Sequence, residues 1–289
     1  FPKRFIYGSE NAHSYAAWTA VRDNPSIGGQ FLWTGIDYLG EANLWPDRAS
    51  SAGLLDLCGF VKPMGRFRQS LWSAQPVIYL CAAESGRAGR RGNEFIGKES
   101  WNWPDKAMVS VFCYTNCPEV TLSLNGSPVG TKRLGEAVDG VLSWEVPFVS
   151  GVLEATGRKD GLACEFALIT AGPASRVELR PYSGRLRADG KDVAQVEYDV
   201  VDAQGVRVPD AGQELTFEVG GPAQIVGLGN GNIADSEPVK GPSHRAYEGR
   251  GLAIVQSSTN PGTITLRASA PGLQPATLTL ESGGPMSRN

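Results

Sequence analysis

The sequence predicts a mixed fold: an α/β segment first, then two all-β sandwiches. Three observations carry this. Apolar runs alternate with a helical stretch only as far as residue 75. After Gln75-Pro76 the apolar pattern shortens to strand length and stays there. The 36 glycines and 19 prolines supply the turns that a strand-rich chain needs.

The α/β segment is read first. Phe5-Ile6-Tyr7 is a short apolar run ended by Gly8-Ser9, with Glu10 next. Such a run suits a buried parallel strand. Residues 13–21 have helical composition, and Asp23-Asn24-Pro25 stops them. Phe31-Leu32-Trp33 is a second buried run, broken by Thr34-Gly35. Strand, helix, strand makes a βαβ unit. Glu10 and Trp33 then fall at the C-terminal ends of their strands, which is the catalytic face of a β/α barrel. Residues 41–51 form a polar loop of the kind that builds substrate pockets. Residues 64–73 read as a helix, with Pro63 near its first turn and Phe67, Leu71 and Trp72 on one side.

From Val77 the strands expected are 77–82, 108–114, 120–124, 142–147, 152–156 and 164–170. Asn125-Gly126 is the strongest hairpin signal in the chain. Gly172-Pro173 marks a second boundary. Beyond it 177–180, 193–201, 214–219, 223–226, 252–256, 263–268 and 276–280 read as strands, and Asp202-Ala203-Gln204-Gly205 as a turn. Both sets suit an immunoglobulin-like sandwich. Gly227-Leu228-Gly229-Asn230-Gly231 has no helix after it, so it is read as a multi-turn loop and not as a phosphate cradle. The basic stretch 86–92 reads as a solvated connection, and 282–289 as a frayed tail.

The totals exclude several function classes. A net charge of −3 gives no reason to expect nucleic acid or an anionic membrane as partner. No apolar run approaches the roughly 18 residues of a membrane span. The first residue is not Met and no signal peptide is seen, so the chain reads as an internal piece of a longer polypeptide. The five cysteines, Cys58, Cys81, Cys113, Cys117 and Cys164, leave at least one unpaired and read as small hydrophobes. No metal constellation and no cofactor is expected. All seven tryptophans lie in the first half, so the last domain is a poor aromatic platform for a sugar.

Gly8-Ser9-Glu10-Asn11-Ala12-His13, paired with the Trp33-Thr34-Gly35 run downstream, resembles the last two barrel strands of glycoside hydrolase family 2, most closely its β-galactosidases. Residues 53–60 and 69–72, Trp101-Asn102-Trp103, residues 114–117 and Leu124-Asn125-Gly126 extend the resemblance in patches. It implies the C-terminal fragment of a (β/α)8 barrel over 1–75, an immunoglobulin-like sandwich over 76–172 and a bacterial immunoglobulin-like sandwich over 173–289.

It also implies a retaining exo-glycosidase on terminal β-galactosides, in which Glu10 is the nucleophile. His13 would bond a sugar hydroxyl and Trp33 would face the sugar. Asn11, Asp37 and Glu41 lie near, Asp37 being as apt to position a neighbour as to touch substrate. The acid/base glutamate, which in the family follows an asparagine, is missing; Asn93-Glu94 sits in the basic loop. The partners implied are a carbohydrate, the rest of the polypeptide and a possible second copy of the chain; the compartment implied is bacterial, periplasmic or secreted. The competing readings are another family 2 activity (β-glucuronidase or β-mannosidase) and a non-catalytic spacer or carbohydrate-binding fragment.

Overall fold

The computed structural model describes residues 4–42, 44–86, 90–91, 94–95 and 97–284. These form two compact units: the described residues within 4–38, 50–56 and 60–170, and those within 39–49, 57–59 and 171–284. Strands dominate both, with two α-helices among the described residues. Neither helix is long and apolar enough to cross a membrane.

In the first unit, β1 (Ile6–Asn11) and β2 (Ile27–Leu32) are parallel and joined by α1 (Tyr15–Asp23). Two expectations need correction here. Gly8-Ser9 do not end the strand, because pairing to β2 carries it on to Asn11. The strands are not buried either: Tyr7 is 58% and Phe31 65% exposed. The sheet has two strands, and its two rings meet edge to face at 5.8 Å with no layer over them among the described residues. The helix starts later than expected, because the Ser14 hydroxyl accepts the Ala17 N–H and makes Ser14 the cap.

The second helix, α2 (Pro63–Trp72), buries Met64, Phe67 and Arg68. These lie three and four residues apart, so they share one stripe with Leu71. Trp72 falls one residue off that stripe and is 56% exposed, contrary to the expected face. The stripe packs on Tyr79, Cys81, Tyr114 and Val141 of the adjoining sheet. That packing places the α/β segment and the first sandwich in a single unit.

The first sandwich has a three-stranded sheet in the order Val141–Pro147, Met108–Thr115, Ile78–Glu84. Its second sheet runs Ser127–Arg133, Glu119–Leu124, Val152–Lys159, Leu162–Ile169. Between them lie Leu80, Trp101, Val111, Leu122, Leu142 and Leu153, all essentially dry. Asn125 (φ 51°) and Gly126 (φ 78°) form the hairpin turn. Two successive positive φ values match the twist of the flanking strands, and only Gly and Asn take them cheaply. All five cysteines are free, and burial pushes the Cys81 thiol up to about 12. Of the basic stretch, Arg90–Arg91 pairs with Glu94–Phe95; residues 87–89, 92 and 93 lie outside the described residues.

The second unit holds a four-stranded sheet in the order Arg176–Pro181, Val193–Val201, Arg250–Ser257, Ala223–Gly229. Its five-stranded sheet runs Arg185–Arg187, Ala276–Gly283, Gly262–Ser269, Glu214–Gly220, Ser243–Arg245. Gly227 to Gly229, read as loop, belong to a strand; a register irregularity between Ile225 and Gly227 admits the glycine. Ser282 and Gly283 complete the last strand and are not tail, while 285–289 lie outside the described residues. The Asp202 turn forms as read, its Oδ1 accepting the Gln204 and Val206 N–H groups.

Candidate active site

Glu10 is the penultimate residue of β1 and is exposed. Gly8 faces Gln30 and Asn11 faces Leu32, so β1 fits one more residue than β2 between those two pairs. Such a bulge re-aims a side chain, and Ser9-Glu10 sit in it. Among the described residues Glu10 takes part in no ion pair.

The segment after Glu10 is pinned from two sides. His13 is buried, and its Nε2 lies 2.7 Å from the Ala52 carbonyl oxygen. Arg68, fully buried on α2, donates from Nη2 to the carbonyls of Ala12 (3.3 Å) and Ser14 (3.2 Å). Its Nε and Nη1 are buried without a hydrogen-bond partner among the described residues, as is His13 Nδ1. Burial pulls Arg68 down to about 10. Buried donors without acceptors are costly, so this guanidinium fits a site completed by an anion or carbonyl.

Trp33 follows β2 and is 46% exposed. Its backbone N–H donates to the Asn11 carbonyl at 3.1 Å. Its Nε1–H donates to the Tyr38 hydroxyl at 2.9 Å, and the two rings stand edge to face. Asn11 itself is half-buried, with Oδ1 unpartnered among the described residues.

Asp37 is buried at 4% exposure. Its Oδ1 accepts the Gly53 N–H (2.8 Å) and its two oxygens receive Lys62 Nζ at 2.9 and 3.1 Å. A Cβ at Gly53 would lie 2.2 Å from the Asp37 nitrogen, so only glycine allows the two loops to touch. Asp37 is therefore occupied in holding loops together. Glu41 takes a positive φ of 47° in the loop beyond.

Burial pushes the His13 imidazole below its ordinary value; the Arg68 and Lys62 charges add to this and the Ala52 carbonyl opposes it. A lowered folded value means that the unfolded chain takes up the proton first as pH falls. Stability from neutral His13 is thus fully present above roughly pH 6.5 and is lost as pH drops through the folded value. We expect the urea midpoint to fall between pH 7.5 and pH 5, and to fall less in His13→Gln. An equal fall in the variant would refute the assignment.

Residues 177–279 match the model of glycoside hydrolase family 2 C-terminal domain 5, and residues 106–165 match a domain of unknown function (DUF4982). The chain is 34% identical over 267 residues to a β-galactosidase, BoGH2A, of Bacteroides ovatus, covering 91% of this chain and 29% of that protein. A solved glycosyl hydrolase family 2 member from Bacteroides cellulosilyticus superposes with a TM-score of 0.90 at 29% identity, covering 98% of this chain and 40% of that one. This chain belongs to glycoside hydrolase family 2. A protein of Formosa agariphila named as a putative β-glucuronidase is 29% identical over 75% of this family 2 chain and 20% of its own length. The chain thus spans well under half the length of these relatives. The sequence of this family 2 chain points to Glu10, Asn11, His13, Trp33 and Asp37 as candidates, but not to Arg68 and Lys62, which the fold brings against His13's segment and Asp37. Lys62 is the residue before α2 and Arg68 lies in its middle, and a charged residue type at either place reads as solvated until the helix packs.

Proposed function

We propose that this chain is the C-terminal part of a retaining exo-glycosidase acting on terminal β-galactosides, with Glu10 as nucleophile. The observation that supports it most is the setting of Glu10: exposed, next to last in a parallel strand, and followed by a segment held by Arg68 and His13. On this reading β1, α1, β2 and α2 are the end of a (β/α)8 barrel. Residues 76–172 and 173–289 are two immunoglobulin-like modules that trail it. The partners are then the carbohydrate and the rest of a longer polypeptide.

The chemistry follows from the carboxylate. Glu10 attacks the anomeric carbon, and the glycosidic C–O bond breaks with its electron pair leaving on the aglycone oxygen. An acid from another part of the polypeptide protonates that oxygen. Water then cleaves the glycosyl ester and restores the carboxylate. The exposed part of Trp33 offers an apolar face to the sugar, and Asn11 flanks the nucleophile. His13 and Asp37 act here as positioning residues, because their buried side chains hold loops; this replaces the sugar contacts expected for them from sequence.

A β-glucuronidase activity is the second reading, favoured by the names of the Formosa agariphila relatives. The test is labelling of the longer protein with a 2-fluoro-galactoside, followed by peptide mapping. A label on the peptide holding Glu10 is expected, and a label on another carboxylate overturns the reading. Faster turnover of nitrophenyl glucuronide than galactoside would move the substrate to the second reading. The 289-residue chain by itself is expected to turn over nitrophenyl galactoside slower by at least about 10²-fold, since general acid catalysis is worth that much. Equal turnover would place a second carboxylate within this chain.

A further inference from the structure

In the second unit, away from the residues discussed so far, Asp235, Glu237 and His244 come together. One ligand atom of each lies within 4.8 Å of the other two. His244 is fully buried on the short strand Ser243–Arg245. Its Nδ1 lies 3.2 Å from the Arg245 carbonyl oxygen. A carbonyl accepts only, so Nδ1 carries the proton and donates. That leaves a lone pair on Nε2.

Nε2 lies 3.1 Å from Asp235 Oδ2, yet it has no hydrogen-bond partner among the described residues. Two electron-rich atoms therefore face each other in a buried place. A cation between them resolves that conflict. The Asp235 carboxylate is also held ready. Asp235 Oδ1 accepts the Glu237 N–H at 2.9 Å, which frees Oδ2. Glu237 receives Arg245 through Nε (3.0 Å) and through the backbone N–H (2.8 Å). The Asp235 backbone is anchored by Arg48, whose Nη1 donates to its carbonyl at 2.8 Å.

We propose that Asp235, Glu237 and His244 form a zinc site that ties the segment between Ala223–Gly229 and Ser243–Arg245 to the second sheet. A ligating imidazole whose other nitrogen donates to a backbone carbonyl is the usual outer-shell arrangement of a bound histidine. Ligand bonds of about 2.0–2.2 Å in a tetrahedron put ligand atoms roughly 3.3 Å apart, close to the spacing at Asp235. One nitrogen and two carboxylate oxygens suit zinc, whereas calcium and magnesium take oxygen alone. The side chains of Asp235 and Glu237 are 18% and 31% exposed, so a water can supply the fourth ligand.

The test uses the chelator-treated chain, zinc alone and a chromophoric competitor. One zinc per chain is expected, bound at least about tenfold less tightly in Asp235→Asn and in Glu237→Gln. Both side chains are partly exposed, so the variants do not depend on refilling a buried hole as a His244 variant would. Zinc should raise the melting temperature of the native chain and leave the double variant unmoved. Cobalt in place of zinc should give visible ligand-field bands without thiolate charge transfer, which separates this site from the five free cysteines. Absence of stoichiometric binding, unchanged affinity in the double variant, or a thiolate band overturns the proposal. The first outcome would make the cluster an ion pair between imidazolium and Asp235.

Discussion

Glu10→Gln, made in the longer polypeptide proposed above, is expected to lower kcat by at least about 10³-fold and to abolish the glycosyl-enzyme intermediate. The amide keeps the size of the side chain and removes the charge that attacks the anomeric carbon. The fold should not notice, because the side chain is exposed and makes no ion pair among the described residues. The melting temperature is therefore expected to stay within the range of an ordinary surface change. Circular dichroism and a stopped assay on nitrophenyl galactoside are the measurements. A variant that is native in fold and keeps most of its activity would make Glu10 a bystander. Because Gln retains the volume, a loss of activity with an intact fold cannot be blamed on a cavity.

Phe67→Ala should have the largest effect on stability, about 3–5 kcal/mol. Phe67 is 0% exposed and stands edge to face on Tyr114 at 5.5 Å. It is the central residue of the stripe that docks α2 on the sheet, between Met64 and Leu71. Truncation leaves a hole that the rigid strand behind it cannot close. A loss of this size should lower the melting temperature of the first unit by roughly 10 °C. It should also loosen the neighbouring Arg68, and with it the segment 12–14 that Arg68 holds. Phe31→Ala is the control: at 65% exposure it should cost little in this chain. Calorimetry of the three proteins decides it; a Phe67→Ala loss below about 1 kcal/mol would show that α2 is not held by this contact.

The local chemistry of the chain was sufficient for much of the architecture. Asn125-Gly126 specifies its hairpin because two positive φ values are cheap only for such residues. The β1–α1–β2 unit is legible because apolar runs and a helical stretch alternate within a few dozen residues. The strand pattern after Val77 is legible for the same reason. Glu10 and Trp33 are legible as residues that follow or close a short apolar run, which is a local pattern.

What the sequence could not decide depends on which distant segments meet. Gly8-Ser9 look like a strand end, but hydrogen bonds to β2 carry β1 through Glu10. Asp37 reads as a pocket acid until Lys62 and Gly53 are brought against it. His13 reads as a sugar ligand by resemblance, and only the fold brings the Ala52 carbonyl to its ring at 2.7 Å. Asp235, Glu237 and His244 are unremarkable in sequence, and only the return of the Ser243–Arg245 strand brings the imidazole to the carboxylates. For Asp37 and His13 the deciding quantity is the burial of a charged or polar group against a partner more than ten residues away along the chain. Secondary structure follows from preferences read over a few residues, whereas that burial exists only once the sheets have packed.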